Sequence, residues 1–574
     1  MIIFLIFLPV YLFILVPILH ADWGSVTVDS KGDTGWNPSL ALDKSGMPCI
    51  VYNDWENGSL KYASFDGNSW HAITIDNSGF VGGTPSLALD SDDNPHVSYF
   101  DFTEEDLLYI YRDAGGWHKE TIASEGSPGL YSSIEIDSGG RPHVAYEDLT
   151  NMDLKYAVRI SPGVWDLETV DSDTDVGQYA SLELDSSDKP HIAYLDWINA
   201  DLKYAKKTGS TWQISVIDSE GFTGYYSSLR LDSNNKPHIA YQNSTQQDLR
   251  YATNQSGTWQ KGIVDADGDV GEFTSLALDS ANKPAIAYYS VKEEKLKYAK
   301  WSGSSWIKEV VSVSDFESWH VCLAIDSGNK AHIAYLDWIA GDLKYARTTN
   351  APVLSWVGEE PFLNDGLDPE EGNTYTSYVF RVTYEDPDSD PVLGGYPKVH
   401  ISKDDEEIEG SPFAMSFLSE DVPGKTVFEA NAFVPEDGTY SYYFEAKDRW
   451  GSPATGEPTS ATQGPTVTAI EKPPFEVYSY PNPARGDKAT FHVKTWYLSP
   501  KFKIKIFNIA GELVKEIEDT SIPKHNAPVY EYEWDLKDAN GFPLSSGVYL
   551  YMVRSMDKIT GDKMKKVKKM AILK

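Results

Sequence analysis

Short runs of alternating apolar and polar residues recur along the first 350 positions of the chain. The copy that begins at Ser181 shows the plan. Leu182-Glu-Leu-Asp185 precedes a turn, His191-Ile-Ala-Tyr194 follows, then Leu202-Lys-Tyr-Ala205, then a run opening on Trp212. Each run has the two-residue period and the β-branched or aromatic content of a strand. Gly, Pro, Asn, Asp and Ser separate the runs, as turns require. No window carries a helical period. The aspartate closing the first run recurs as Asp43, Asp90, Asp137, Asp185, Asp232, Asp279 and Asp326, a spacing of 47 or 48 residues. A Tyr lies nine residues after every one of these anchors and another lies nineteen after. Four strands per unit at such a period predict a propeller blade, and seven units predict a seven-bladed ring over residues 22–350.

The ends of the repeat predict how the ring closes. Trp70, Trp117, Trp165, Trp212, Trp259 and Trp306 each open a fourth strand, and the seventh unit has none after Tyr345. The run Trp23-Gly-Ser-Val-Thr-Val supplies it from the other end of the array. Pairing there would remove two exposed sheet edges.

After residue 350 the repetition stops. Tyr378–Tyr384, Val427–Phe433 and Tyr440–Ala446 alternate as half-buried strands, which predicts an immunoglobulin-like sandwich over 351–466. Residues 471–574 form a further all-β unit. It runs from Tyr480-Pro-Asn-Pro483 through Ile504–Val514, Trp534-Asp535, Asn540-Gly541 and Ser546–Tyr551 to a lysine-rich last strand. This last series resembles both the Ig-like module related to the flagellar hook-capping protein and the C-terminal sorting domain of type IX secretion cargo. The Trp-Asp and Asn-Gly portion favours the first family, and the position at the end of the chain favours the second. Either resemblance implies export and a tail that acts as an address or an attachment, with export machinery as a partner. The middle segment resembles Ig-like modules of large exported proteins that carry an Asp-Pro-Asp-Gly-Asp-type loop. The repeats resemble bacterial and archaeal proteins with a Leu-Asp-Ser…Pro-His-Ile-Ala-Tyr…Leu-Lys-Tyr-Ala pattern, a family that supplies a fold and little function.

Charge and the chain start narrow the setting. The chain has 574 residues and a net charge of −37, which opposes binding to nucleic-acid phosphates. Residues 1–21 begin with an almost wholly apolar run and read as a secretion signal, with an uncleaved anchor as the alternative. No later stretch is long and apolar enough to span a bilayer, so a monomeric, secreted or cell-surface protein is expected. The only two cysteines, Cys49 and Cys322, exclude a disulfide framework. They are expected as small buried thiols, with one bridge as the alternative.

Candidate ligand residues cluster on one predicted face. Trp36, Tyr131, Tyr179, Tyr225, Tyr226, Phe273 and Trp319 lie six or seven residues before an anchor. Trp55, Phe102, Trp197 and Trp338 lie twelve after it, beside Asp54, Asp101, Asp148, Asp196 and Asp337. Aromatic faces with nearby carboxylates suit sugar rings or cationic side chains. The same residues also suit blade packing and turn capping. A glycan or surface protein is therefore the expected ligand. A His stands six residues after five of the seven anchors (His96, His143, His191, His238 and His332), with Cys49 and Ala285 in the other two units. At one per blade these are too dispersed to hold a metal, and a hydrogen bond within the blade is expected.

No cofactor is implied. Asp265, Asp267 and Asp269, and likewise Asp386, Asp388 and Asp390, have calcium-loop spacing, although neither has the distal Glu of an EF-hand. Zinc-protease, nucleophile-elbow and phosphate-loop motifs are absent. Sialidases resemble this chain in blade form, but their Ser-x-Asp-x-Gly-x-Thr-Trp boxes are missing. Binding is the first expectation, and a carbohydrate-active hydrolase or lyase or a structural surface-layer component are the alternatives. No catalytic residue is assigned.

Overall fold

A computed structural model describes residues 22–311, 318–374, 376–422, 424–434, 436–469, 475–495, 500–518, 529–557 and 563–574. The expected secretion signal, 1–21, lies outside them. The described chain is almost entirely β-structure, without an α-helix. No helix among the described residues is long and apolar enough to cross a membrane.

The repeats fold as seven four-stranded antiparallel sheets. In the fourth, Val176–Leu184 pairs with Pro190–Asp196, which pairs with Asp201–Thr208 and then Thr211–Asp218. The second strand is buried at every position, so it reads as a continuous apolar run. The fourth is largely exposed and reads as polar alternation. The strand Asp22–Asp29 pairs with Asp342–Thr349, placing Trp23 opposite Thr348 and Val26 opposite Tyr345. One sheet therefore unites both ends of the array.

Three sets of repeated contacts join neighbouring sheets. The Trp opening each fourth strand packs edge-on against the outer Tyr of the preceding sheet. These pairs are Trp117–Tyr62, Trp165–Tyr109, Trp212–Tyr156, Trp259–Tyr204, Trp306–Tyr251, Trp23–Tyr298 and Trp70–Tyr345, all with centroids 5.1–5.5 Å apart. The last pair links the seventh sheet back to the first. Along the inner strands, Ser39 Oγ accepts the Leu87 N–H at 3.0 Å, and five further serines repeat the bond. Cys322 Sγ takes the serine's place and accepts the Leu40 N–H at 3.2 Å, again joining the seventh sheet to the first. Finally, Tyr52, Tyr99, Tyr194, Tyr241 and Tyr288 each donate to a buried Asp at the end of the preceding sheet's outer strand, at 2.6–2.8 Å. These contacts define a repeated, propeller-like all-β arrangement. Both cysteines are free thiols.

Beyond the repeats, one sheet contains Tyr378–Glu385 and Lys425–Ala432, and a second contains Lys398–Lys403, Gly438–Glu445 and Thr462–Thr468. Phe380 from the first meets Tyr442 from the second at 5.0 Å. The last segment forms two more sheets around a core that includes Phe491, Ile504, Ile506, Trp534, Tyr551 and Ile572. Segments 386–394 and 447–454 group with the repeats as one compact unit, although sequence places them inside the 351–466 segment.

Candidate functional site

Each inner strand carries a β-bulge just before its anchor. The residue six before the anchor is left-handed in every sheet: Asn37, Thr84, Tyr131, Tyr179, Tyr226, Phe273 and His320 have φ between 39° and 52°. Left-handed backbone is unfavourable for residues with a Cβ, so seven instances mark an imposed geometry. A bulge places two residues where the pleat expects one and re-aims a side chain. Here it separates the two candidate positions.

The left-handed residues face the axis of the repeat. Tyr131 meets Tyr179 at 4.5 Å, Tyr179 meets Tyr226 at 4.8 Å, Tyr226 meets Phe273 at 4.9 Å, and Phe273 meets His320 at 4.5 Å. The collar is asymmetric, since the first two sheets contribute Asn37 and Thr84. A cavity of about 250 Å³ lies there, lined by the collar and by the residues that follow it in all seven sheets, serines in six of them and Cys322 in the seventh. Burial alone pushes His320 down to about 4, so it is neutral at pH 7.

The residues one position earlier join aromatic clusters instead. Trp36 packs against Trp55 at 5.4 Å and Trp338 at 5.1 Å, while its Nε1 donates to Asp33 at 2.9 Å. Trp55 continues to Phe80 and Phe102. This platform spans the seventh, first and second sheets. Trp55, Trp338 and Phe102 remain 42%, 39% and 38% exposed, so their ring faces are available to a ligand. Tyr225 joins a second cluster with Phe222 at 5.0 Å and Trp197 at 5.8 Å, and Trp197 is 39% exposed. The structure thus brings Trp36, Trp55 and Trp338 together, and Tyr225 with Trp197. Tyr131, Tyr179 and Phe273 belong to the collar. The Trp319 side chain lies outside the described residues.

The carboxylates beside the aromatics have structural partners. Asp54, Asp101, Asp148, Asp196 and Asp337 accept backbone N–H groups of the turns that follow them. The anchor-plus-six histidines bond within their sheets: Nδ1 of His96 lies 2.5 Å from the Tyr109 hydroxyl, and Nε2 lies 3.4 Å from Asp90. Asp265 is bonded to Tyr288, Lys297 and Lys308, Asp267 pairs with Lys292, and Asp269 accepts from Gln242 and Gln247. Asp386, Asp388 and Asp390 do converge, with one oxygen from each within 4.8 Å of the others.

Sequence reasoning missed His320, Phe80, Phe222 and a charged group on the first strands of three sheets. His320 was legible from its six-residue offset from Asp326, and Phe80 and Phe222 share an offset of ten. Two residues before the anchor stand Ala41, Ala88, Glu135, Glu183, Arg230, Ala277 and Ala324. The three charged members sit on consecutive sheets. Arg230 Nη1 lies 3.1 Å from Glu183 Oε1 and donates to the Leu229 carbonyl. Burial, and then the charge of Glu183, push the Glu135 carboxyl well above its ordinary range despite Arg230. One arginine thus serves two carboxyl groups, both of which are pushed above their ordinary range.

No protein-family model matches the chain, and no curated protein matches it in sequence. Among solved structures, a polysaccharide lyase, PL25 ulvan lyase, is similar at 13% identity over 57% of this chain and 94% of its own, with a TM-score of 0.42. The fucose-specific lectin from Aleuria aurantia is similar at 13% identity over 48% of this chain and 97% of its own, with a TM-score of 0.35. The NanB sialidase from Streptococcus pneumoniae is similar at 13% identity over 57% of this chain and 70% of its own, with a TM-score of 0.34.

Proposed function

We propose that the chain is an exported seven-bladed β-propeller whose aromatic face binds a glycan. An Ig-like module and a C-terminal sorting or attachment module follow the ring in this reading. One observation carries the binding proposal: the exposed, contiguous platform of Trp338, Trp36, Trp55 and Phe102. A solvated aromatic patch of this size retains apolar surface in water, and pyranose C–H faces complement it. The turn aspartates are occupied by backbone N–H groups, so the aromatic rings dominate recognition. Tryptophan emission, recorded while a panel of polysaccharides is titrated, tests the reading. A saturable change with at least one glycan is expected, and a panel without any response contradicts it.

A second reading, carbohydrate turnover, is favoured by the Glu135–Glu183 pair. Two neighbouring carboxyl groups that are both pushed upward and titrate as a pair can divide the acid and base roles that glycoside chemistry uses. It predicts product release from a polysaccharide that Glu135→Gln abolishes. Binding without product supports the first reading alone.

A further inference from the structure

The geometry points to a calcium site at the end of the repeats, built from Asp386, Asp388 and Asp390, with the buried carboxyl group of Asp448 on the segment that bridges to their loop. The carboxylate oxygens of the first three lie within 4.8 Å of one another. Calcium holds oxygens at roughly 2.4 Å, so opposite ligands stand about 4.8 Å apart and adjacent ones closer. The three oxygens therefore fit one coordination shell.

Asp448 is the independent observation. Its side chain has no solvent exposure. Oδ1 accepts the N–H groups of Trp450 at 2.9 Å and Ser452 at 2.8 Å, which fixes the carboxyl group. Oδ2 is buried without a hydrogen-bond partner. The backbone puts this group against the aspartate loop, since Asp448 bridges to Val392 and the Leu393 N–H donates to the Lys447 carbonyl. A buried carboxylate oxygen without a donor is costly unless a cation takes it.

Local charge sets the valence. Lys330 pairs with Asp388, and Arg347 Nη2 lies 3.4 Å from Asp390. Arg347 also rests on the Trp450 ring at 4.8 Å. Two cations against four carboxylates leave two negative charges, which one divalent ion balances. The donors are all oxygens, with neither His nor Cys among them, which selects a hard cation. Three carboxylates converging on one shell beside a fourth suit the larger, more adaptable calcium ion better than magnesium, which keeps several waters and strict octahedral geometry. Bound calcium would fasten segments 386–394 and 447–454 to Lys330, Arg347 and Asn350 at the end of the repeats, where Asp388 also accepts two bonds from Asn350.

The test uses the full chain, stripped with EDTA and dialysed. Terbium is titrated while tryptophan is excited, because Trp450 lies two residues from Asp448 and sensitises an ion bound there. Saturable terbium emission that calcium displaces, and that magnesium at the same concentration displaces at least tenfold less well, is expected. A rise in the melting midpoint on adding calcium is expected alongside. Asp448→Asn should weaken terbium and calcium at least tenfold, and Asp267→Asn should change neither. If Asp448→Asn does not fold, the wild-type titration with Trp450→Phe decides instead, with loss of sensitised emission expected. Absent emission, or Asp448→Asn binding as tightly as wild type, overturns the site.

Discussion

Single residues in this molecule divide into those held by buried charge and those that only decorate the surface. Asp218 receives the Tyr241 hydroxyl at 2.8 Å, Lys261 at 2.6 Å and Arg250 at 3.1 Å, and is almost fully buried. Removing one partner from a buried ionic group leaves the others uncompensated, at a cost of about 3 kcal/mol. Asp218→Asn is therefore expected to lower the urea midpoint strongly. The exposed Asp66–His71 pair is screened by solvent, and Asp66→Asn should leave that midpoint unchanged. Histidines make the same division visible through pH. Burial, then the charge of Lys206, push His191 down to about 4. The unfolded chain binds a proton near pH 6.5 that the folded chain refuses until about pH 4. Stability thus falls as pH drops through that window, by about 3 kcal/mol for this residue. His96, His143, His238 and His332 are depressed in the same direction, so a melting series from pH 7 to 4 should show a steep decline. His191→Gln should make it shallower.

At the scale of strands, the terminal strand carries the closure. Asp22–Asp29 fills the last sheet and places Trp23 edge-on against Tyr298 at 5.2 Å. Deleting residues 22–29 exposes the edge of Asp342–Thr349 and removes Asp29, the partner of Tyr52 and Lys61. Loss of the monomer peak and a rise in light scattering are expected, since an open edge recruits other chains. This clasp was legible in sequence because a missing fourth strand at one end matched a spare one at the other. The bulges were not legible. Alternation predicts which face a residue occupies only while the register holds, and the bulge before each anchor breaks it. Trp36 and Tyr131 therefore looked equivalent, six or seven residues from an anchor, yet Trp36 joins the exposed platform and Tyr131 the axial collar. The five Tyr–Asp bonds between sheets were hidden for another reason. The Asp recurs fourteen residues before five of the anchors, but it sits in a polar strand among other turn-forming residues, and nothing in the sequence pairs it with a Tyr of the next sheet 23 residues on.

For the whole molecule, repetition supplies the scaffold and departures from repetition supply the chemistry. Ala41, Ala88, Ala277 and Ala324 keep the inner strands plain, whereas Glu135, Glu183 and Arg230 break the pattern on adjacent sheets. The upward shift of Glu135 gives a contribution to folding that is complete below its ordinary value near 4.5 and is lost as pH rises above it. That contribution should be visible as a difference between wild type and Glu135→Gln in melting midpoint that shifts against wild type as pH rises above about 5. The seven sheets were readable from a 47-residue period, while the paired acids were readable only once the period had been subtracted. Asn37 and Thr84 interrupt the aromatic collar in the same manner, and Trp338, Trp36 and Trp55 concentrate the exposed aromatics over three neighbouring sheets.

Isothermal titration of a responding glycan into wild type and into the double variant Trp55→Ala, Trp338→Ala tests that concentration of aromatics directly. Stacking lost from two exposed indoles, at about 1 kcal/mol each, should weaken binding by about thirtyfold while the melting midpoint moves little. Equal affinity in the two proteins would contradict recognition by the aromatic platform.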